Sequence, residues 1–317
     1  MALCKHPIHL KQAGGLVPCG QCFTCRLNKA RFWTFRIMME ARLHEKTLWT
    51  TITYNDDFLP KSYFDPNTGQ VFEGDTKGFS TLHPEDVELF LKRVRKKLPP
   101  RSFRFFLCGE YGEDNIRPHY HLCVFGHGEE ILPLLQRSWT CPVTKKPYGL
   151  IDRISHGPIT WQNARYTAKY NLKKLTRKDD KRLEGRFPEF TRSSKGLGMG
   201  FVKRFADALR NSSGYAHILA TGDIPRQVRT DGRTWPLDRY LREKILEELG
   251  IKNALLQYGQ EKFQKEMSAL SLRAELNPKF KTAGQITPYV LEKQYIEENR
   301  QRVLNTEKRA QLFMKGK

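Results

Sequence analysis

The sequence lacks the long apolar stretches that a membrane protein needs. No segment approaches the roughly 18 consecutive apolar residues that suggest a transmembrane helix, so none is expected. The first residues, Met-Ala-Leu-Cys-Lys-His-Pro, contain no apolar core of the kind found in signal peptides. Internal repeats are also lacking. We therefore expect a protein that stays in a cytosol and has no membrane partner.

Acidic residues are scarce relative to basic ones. The 317 residues contain 55 Lys and Arg against 34 Asp and Glu, which gives a formal net charge of +21 and a pI near 9.7. A positive charge of this size indicates a polyanionic partner, either nucleic acid or an anionic membrane. The excess is uneven, because residues 166–210 hold 13 Lys and Arg against five Asp and Glu. This concentration favours a binding surface over a basic surface that only aids solubility.

The seven cysteines are not expected to form disulfide bonds in a reducing compartment. Residues 1–25 hold four of them, and four thiolates this close in sequence can surround one zinc ion. The same Cys-x2-Cys-x2-Cys spacing is used by iron–sulfur proteins, and free thiols are a third alternative. Residues 1–25 are therefore predicted to be a candidate zinc knuckle, with structural Zn²⁺ ligands at Cys4, Cys19, Cys22 and Cys25.

Hydrophobic periodicity predicts an α+β fold, with an antiparallel sheet and helices packed on one face. The expected strands are residues 46–54, 103–108 and 119–126, and the expected helices are residues 26–45, 84–98, 129–139 and 161–175. Residues 55–80 are expected to form a long loop, residues 140–160 are rich in turns, and residues 176–235 are basic and irregular. Residues 236–317 are predicted to be a helical C-terminal region, broken at Pro278 and Pro288.

Two histidines separated by one residue lie in the predicted strand 119–126. Residues i and i+2 of a strand point to the same face, so His119 and His121 would project side by side. Glu110 precedes them by nine residues, across a Gly-Glu-Asp-Asn segment that suggests a hairpin turn. A His-His-Glu cluster suits a divalent cation such as Mg²⁺ or Mn²⁺. The alternative is an isolated His-x-His without function, which is common in proteins.

Two tyrosines occupy the polar side of the predicted helix 161–175. Tyr166, Tyr170 and Lys173 recur at i, i+4 and i+7, and Lys169 follows Tyr166 by three residues. A tyrosine hydroxyl is a weak nucleophile at neutral pH, because its unperturbed pKa is about 10. A metal that polarises a phosphate and a lysine that stabilises developing charge would compensate. The alternative is a pair of surface tyrosines on an amphipathic helix, whose apolar stripe comprises Trp161, Ala164, Ala168, Leu172 and Leu175.

Together these two motifs resemble the HUH endonucleases, which initiate rolling-circle replication. The tandem-tyrosine version looks like the replication initiators of microviruses, small phages with single-stranded DNA. Four further stretches resemble the gokushovirus branch, and the likeness runs through roughly residues 1–240. These stretches are Pro18-Cys-Gly-Gln-Cys-Phe-Thr-Cys-Arg26, Trp49-Thr-Thr-Ile-Thr-Tyr54, Gly109-Glu-Tyr-Gly112 and Lys195-Gly-Leu-Gly198. The aromatic Tyr120 between the histidines departs from the aliphatic residue usual in the family, which costs the metal site nothing.

The resemblance implies that residues 26–235 form an HUH-type domain that nicks and rejoins single-stranded DNA at a phage origin. Tyr166 or Tyr170 would form a 5′-phosphotyrosine, with Lys169 and Lys173 as charge stabilisers. The expected partners are single-stranded and supercoiled phage origin DNA, a host helicase and a host DNA polymerase, in the cytoplasm of a bacterium. A transposase or relaxase with the same chemistry, or a non-catalytic nucleic-acid-binding protein, are the alternatives. Candidate DNA-backbone contacts are Lys174, Arg177, Lys178 and Lys195.

Overall fold

A computed structural model describes residues 3–65, 68, 70–73, 78–112, 116–151, 156–173, 183–211, 214–216, 218, 223–283 and 286–315. The chain divides into two compact units. We call Trp33–Gly200 the sheet unit, and we call Met1–Phe32 together with Phe201–Lys317 the helical unit. The division into a cysteine-rich segment, a nicking domain and a helical C-terminal region, expected from sequence, stays a prediction about function.

The elements alternate between strands and helices along the chain. In chain order, the strands are β1 (Ile8–Leu10), β2 (Gly15–Val17), β3 (Thr47–Thr53), β4 (Lys61–Phe64), β5 (Val71–Glu73), β6 (Phe79–Ser80), β7 (Arg104–Tyr111), β8 (Pro118–Phe125), β9 (Phe190–Ser193), β10 (Gln227–Thr230) and β11 (Arg233–Pro236). The helices are α1 (Phe23–Ala41), α2 (Pro84–Lys96), α3 (Leu132–Ser138), α4 (Trp161–Lys173), α5 (Gly200–Arg210), α6 (Arg239–Glu248), α7 (Lys252–Leu276) and α8 (Pro288–Lys315).

An antiparallel sheet with the strand order β3-β8-β7-β9 forms the centre of the sheet unit. Strand β8 is therefore internal, paired with β3 on one side and with β7 on the other. The register sets Glu110 directly opposite His119 and sets Thr51 opposite His121. The α+β class and the predicted pairing of the two strands around the histidines are confirmed by this arrangement.

Alternation along β8 separates its core residues from its histidines. Tyr120, Leu122 and Val124 are fully buried on the face that packs against α2 and α3. Helix α2 forms where the sequence signals favour it, with Pro84 in its first turn, two acidic residues beside it and basic residues in its last turn. Its buried residues that reach this core are Val87, Phe90, Leu91 and Val94.

The opposite face of the sheet carries the candidate functional residues. Helix α4 packs on β7 and β8 there. The indole of Trp49 on β3 donates a hydrogen bond to the hydroxyl of Thr167 on α4, at 2.8 Å. On the same face, the Trp33 ring in α1 packs against the ring of Phe106, with centroids 4.9 Å apart. The sheet therefore has helices on both of its faces.

Two regions that were expected to be irregular contain regular elements. The predicted loop at residues 55–80 includes a small sheet of order β5-β4-β6. The predicted irregular region 176–235 includes β9, α5 and the hairpin β10–β11. These predictions were wrong because strands of two to four residues have too few positions for an alternating pattern to stand out among Gly, Pro and Asp residues.

The helical unit contains the hairpin β1–β2 and the helices α6, α7 and α8. Both predicted breaks are confirmed, since Pro278 begins a short 3-10 helix and Pro288 begins α8. A small buried cluster joins β2 to the last two helices, and it consists of Leu16, Met267, Leu270 and Tyr295. Among the described residues, helices both long and apolar enough to cross a membrane are absent.

Candidate active site

One carboxylate and two imidazoles meet at a single point on the sheet. Glu110 Oε1 lies 2.6 Å from Nε2 of His119 and 2.9 Å from Nε2 of His121. The register explains this convergence, since Glu110 on β7 is the cross-strand partner of His119 and the two histidines share one face of β8. Glu110 and His121 are buried, and His119 is half-buried. The three ligand atoms predicted from sequence are thus brought together.

The second ring nitrogen of each histidine is held by its own partner. Nδ1 of His119 lies 3.1 Å from the carbonyl oxygen of Arg117, and Nδ1 of His121 lies 3.1 Å from the hydroxyl of Thr51. A carbonyl oxygen only accepts hydrogen bonds, so Nδ1 of His119 carries the hydrogen. A neutral His119 ring therefore directs its lone pair at Nε2 towards the carboxylate of Glu110.

This donor set fits a divalent cation. A lone pair that faces a carboxylate is unfavourable unless a proton or a cation lies between them. The other carboxylate oxygen, Glu110 Oε2, is buried and has no hydrogen-bond partner among the described residues. Metal-binding histidines commonly donate their second N–H to a backbone carbonyl or a similar acceptor, as His119 does to Arg117. Which divalent cation binds is not determined by the donors, because Mg²⁺ and Mn²⁺ both accept oxygen ligands.

The three groups hold their charges unequally. Burial raises the pKa of Glu110, but hydrogen bonds from His119 and His121 outweigh burial and lower the pKa below its ordinary value. Burial lowers the pKa of His119, yet the hydrogen bond and negative charge of Glu110 outweigh burial and raise the pKa. For His121 burial dominates, so its pKa is lowered. At neutral pH the centre therefore offers an ionised carboxylate and at least one neutral imidazole.

Tyr166 is the tyrosine whose side chain lies at this centre. Its ring is edge-on to the ring of His121, with centroids 5.1 Å apart, and 43% of its surface is exposed. Trp49 stacks on His121 at 5.7 Å and meets Tyr166 edge-on at 6.1 Å. Because the indole of Trp49 is bonded to Thr167, the neighbour of Tyr166, strand β3 fixes helix α4 where the tyrosine reaches the histidine. A polymeric substrate can therefore reach an exposed hydroxyl beside the centre.

The other residues predicted for this site are distributed differently. Lys169 is half-buried on α4, and the backbone of Tyr170 and Lys173 continues the helix, while the side chains of both lie outside the described part of the chain. Lys174, Arg177 and Lys178 fall outside the described residues. Lys195 is exposed, two residues after the end of β9. Ser193 pairs with Phe106, four residues along β7 from Glu110, so Lys195 lies towards the far end of that strand.

Sequence reasoning assigned no role to the residues that support this site. Thr51 and Trp49 lie on β3, and Thr167 lies on α4 between the two predicted functional positions. A Thr-rich strand carries no local signal of contact with a histidine, because that contact depends on pairing between segments about 70 residues apart. The tyrosine spacing could have drawn attention to Thr167, since it follows Tyr166 directly.

The four N-terminal cysteines also come together, in the helical unit. Their sulfur atoms all lie within 4.8 Å of one another, and each thiol is free of disulfide bonds. Burial raises the pKa of Cys4 to about 11. Burial would also raise the pKa of Cys22, but hydrogen bonds led by the one from Thr24 lower it to about 6. The predicted cluster is therefore able to hold a metal ion.

Residues 47–179 match a family model described as that of the replication-associated protein ORF2. This stretch includes β3, β7, β8 and α4, and thus Glu110, both histidines and both tyrosines. The chain is similar to replication-associated proteins of small phages. The resemblance stated from the motifs is confirmed by this match and by curated relatives.

Three relatives illustrate how far the similarity reaches. Replication-associated protein ORF2 of Spiroplasma virus 4 is 32% identical over 202 residues, which cover 58% of this chain and 56% of that protein. Replication-associated protein VP4 of Bdellovibrio phage phiMH2K is 25% identical, with 66% of this chain and 65% of that protein covered. Replication-associated protein ORF4 of Chlamydia phage 1 is 26% identical, with 75% and 61% covered. The chain thus spans less than two thirds of each relative. No solved structure matches it.

Proposed function

We propose that this chain initiates and terminates rolling-circle replication of a small phage genome by nicking and rejoining single-stranded DNA at the origin. The observation that carries the proposal is the contact between the exposed Tyr166 and His121 of the Glu110–His119–His121 centre. The names of the relatives support a role in phage replication. The substrate would be single-stranded or supercoiled origin DNA, and a host helicase and polymerase would act with it in the bacterial cell.

Glu110, His119 and His121 would hold Mg²⁺ or Mn²⁺ in this proposal. When bound, such an ion would withdraw charge from the scissile phosphate and from the leaving 3′ oxygen. The residues around it keep the ligands oriented, since Arg117 and Thr51 fix the two imidazole rings. The buried position of Glu110 and His121 limits access of water to the centre.

The tyrosines of α4 supply the nucleophile. The hydroxyl oxygen of Tyr166 or Tyr170 would form a bond to phosphorus while the bond from phosphorus to the 3′ oxygen breaks. The tyrosine proton passes to water and the leaving oxygen gains a proton, which leaves a 5′-phosphotyrosine and a free 3′-OH. The 3′-OH can prime a polymerase. Because the phosphotyrosine keeps the energy of the phosphodiester bond, joining requires no ATP.

Two tyrosines explain termination better than one. After one round of synthesis the second tyrosine can cut the regenerated origin, and the released 3′-OH then attacks the first linkage. Tyr166 and Tyr170 are one helical turn apart, about 6 Å along the axis, so a small shift presents either hydroxyl to one phosphate. Lys169 and Lys173 are proposed to stabilise charge on the phosphate, and Lys174, Arg177, Lys178 and Lys195 are proposed to contact the DNA backbone.

A cleavage assay on circular single-stranded origin DNA tests this proposal. The double variant His119→Ala/His121→Ala should lose Mn²⁺-dependent nicking and still bind to a single-stranded DNA column, because the basic surface is intact. His9→Ala, an exposed histidine of β1, is the matched control and should nick normally. Nicking that persists in the double variant, or in wild-type protein with chelator, would contradict the proposal. DNA binding without nicking in the wild type would favour a non-catalytic binding protein.

A further inference from the structure

The four cysteines have the spacing of ligands around a single ion. Cys4 Sγ lies 3.6 Å from Cys19 Sγ and 3.8 Å from Cys22 Sγ. A zinc ion with four thiolates at about 2.3 Å in a tetrahedron sets its sulfur atoms about 3.8 Å apart. These distances are far longer than a disulfide bond of about 2.05 Å. The sulfur positions therefore outline a tetrahedral site.

Backbone amides point at these sulfur atoms. The N–H of Cys19 donates to Cys4 Sγ at 3.3 Å, the N–H of Lys5 donates to Cys22 Sγ at 3.4 Å, and the N–H of Cys22 donates to Cys19 Sγ at 3.2 Å. Gly20 has φ of +73°, which allows the chain between Cys19 and Cys22 to turn back on itself. Amide donors directed at sulfur stabilise thiolates, the form in which cysteine binds metal.

The same segment is attached to the last two helices of the helical unit. The hydroxyl of Tyr295 on α8 hydrogen-bonds to the backbone of Cys4, and Lys5 Nζ lies 3.4 Å from Glu307 Oε1. The N–H of Leu16 on β2 lies 3.4 Å from the Met267 sulfur on α7. The metal ligands are therefore close in the chain to the contacts that join β1–β2 to α7 and α8.

The apolar contact between these elements is small. It rests on a cluster of four buried residues, of which Leu16 is the one contributed by the N-terminal segment. Gly15 approaches α7 so closely that a Cβ at this position would meet the Met267 side chain at 2.6 Å. A core of this size rarely holds a segment in place alone, and small folds commonly rely on a structural metal or another cross-link.

We infer that Cys4, Cys19, Cys22 and Cys25 bind one structural Zn²⁺, and that this ion holds residues 3–22 against helices α7 and α8. Cys25 lies in the first turn of α1, so the ion also joins this segment to that helix. Tetrahedral four-thiolate sites suit zinc or iron. A cluster containing inorganic sulfide spreads cysteine sulfurs over several irons, whereas these four surround one point. The centre lies outside residues 47–179, which the family model covers, and the inference does not depend on the nicking proposal.

Metal content tests the first half of the inference. Full-length protein purified under reducing conditions should carry about one zinc per chain by elemental analysis. The variant Cys19→Ser/Cys22→Ser should lose this zinc, whereas Cys141→Ser, which alters a half-buried cysteine outside the centre, should keep it. Protein that carries no stoichiometric metal, and takes up none when zinc is added after reduction, would overturn the inference. Iron with acid-labile sulfide in place of zinc would also overturn it.

Hydrogen exchange followed by mass spectrometry tests the second half. Removal of zinc from wild-type protein should speed amide exchange about tenfold or more in peptides containing Gly15–Val17, Met267 and Val303, and added zinc should restore protection. Peptides from β7 and β8 should be unchanged, and Mn²⁺-dependent nicking is scored separately. Using metal removal as well as variants keeps the test valid if the variants fail to fold. Loss of zinc with unaltered exchange in these peptides would contradict the inference.

Discussion

The ring of Tyr166 lies edge-on to the ring of His121, at a centroid distance of 5.1 Å and an interplanar angle of 79°. Trp49 contacts both rings, so residues from α4, β8 and β3 meet at one point. This relationship joins the candidate nucleophile directly to the candidate metal centre. It also shows what Trp49 contributes, since the strand that carries it pairs with the histidine strand and bonds to the tyrosine helix.

Replacing Trp49 tests whether β3 positions the tyrosine. Trp49→Phe keeps an aromatic ring but removes the N–H that donates to Thr167. We expect the rate of covalent adduct formation to fall about tenfold, because small displacements of a nucleophile strongly reduce reaction rates. Affinity for Mn²⁺ should change little. Trp161→Phe, at the first residue of α4, serves as the control. An unchanged rate for Trp49→Phe would show that this contact does not position the tyrosine.

Thr51 is expected to act on the metal through His121. Thr51→Val removes the hydroxyl that lies 3.1 Å from His121 Nδ1. Partners of metal-bound histidines typically contribute tenfold or more to metal affinity, so the Mn²⁺ concentration needed for half-maximal nicking should rise at least about tenfold. Thr144→Val, an exposed threonine in the sheet unit, should behave as wild type. An unchanged Mn²⁺ requirement would separate Thr51 from the metal site.

Tyr120 has a structural task on the other face of β8. Its hydroxyl accepts the N–H of His83 at 3.0 Å and lies 3.2 Å from the hydroxyl of Tyr54, which donates to Asp86. Tyr120→Phe leaves the buried N–H of His83 without this acceptor, so we expect unfolding by urea to show a loss of about 1–2 kcal/mol. Mn²⁺ affinity should remain normal. A large change in metal affinity with normal stability would reverse this assignment.

Glu40 should make the sheet unit sensitive to acid. Burial raises the pKa of Glu40, but the hydrogen bond from Arg104, with those from Gly198 N–H and His44, outweighs it, so the pKa lies below its ordinary value of 4.5. A carboxyl whose folded pKa is depressed contributes stability that is complete above its unfolded pKa and is lost as pH falls through its folded pKa.

The variant Glu40→Gln should therefore be less stable than wild type by about 2 kcal/mol at pH 7, because it removes the charge paired with Arg104. This difference should shrink as the pH is lowered below about 4.5, where the unfolded wild-type carboxyl begins to bind a proton. Urea unfolding at pH 7, 5 and 3.5 measures it. A difference that stays constant across this range would mean that the ionised carboxylate of Glu40 is not what stabilises the fold.

The positions of the ligands could be predicted because they depend on local spacing. Alternation along a strand sets His119 and His121 on one face, and a short turn returns Glu110 to them. Helical spacing likewise set Tyr166 apart from the apolar stripe. Each of these relationships involves residues close in sequence, and so the patterns of strand and helix were sufficient to find them.

The supporting residues could not be predicted because they depend on strand register and on pairing between distant segments. The Thr51 contact with His121 arises only when β3 pairs with β8 in this register. Strand β9 was missed because its four residues extend a sheet whose other members lie about 80 residues earlier. Lys195 was grouped with the site by local charge, while its position is set by the end of β9. Local composition does not encode such distances.

The formation of a covalent protein–DNA adduct tests the central claim most directly. Wild-type protein, single Tyr→Phe variants at positions 166 and 170, and the double variant are incubated with origin DNA and Mn²⁺ and separated under heat and detergent. The account predicts a 5′-phosphotyrosine adduct in wild type, reduced adduct in each single variant and none in the double variant, with Tyr289→Phe, an exposed tyrosine of α8, as the unaffected control. Each single variant should also fail to release unit-length circles over several rounds. An adduct in the double variant, or normal multi-round release by either single variant, would contradict the account.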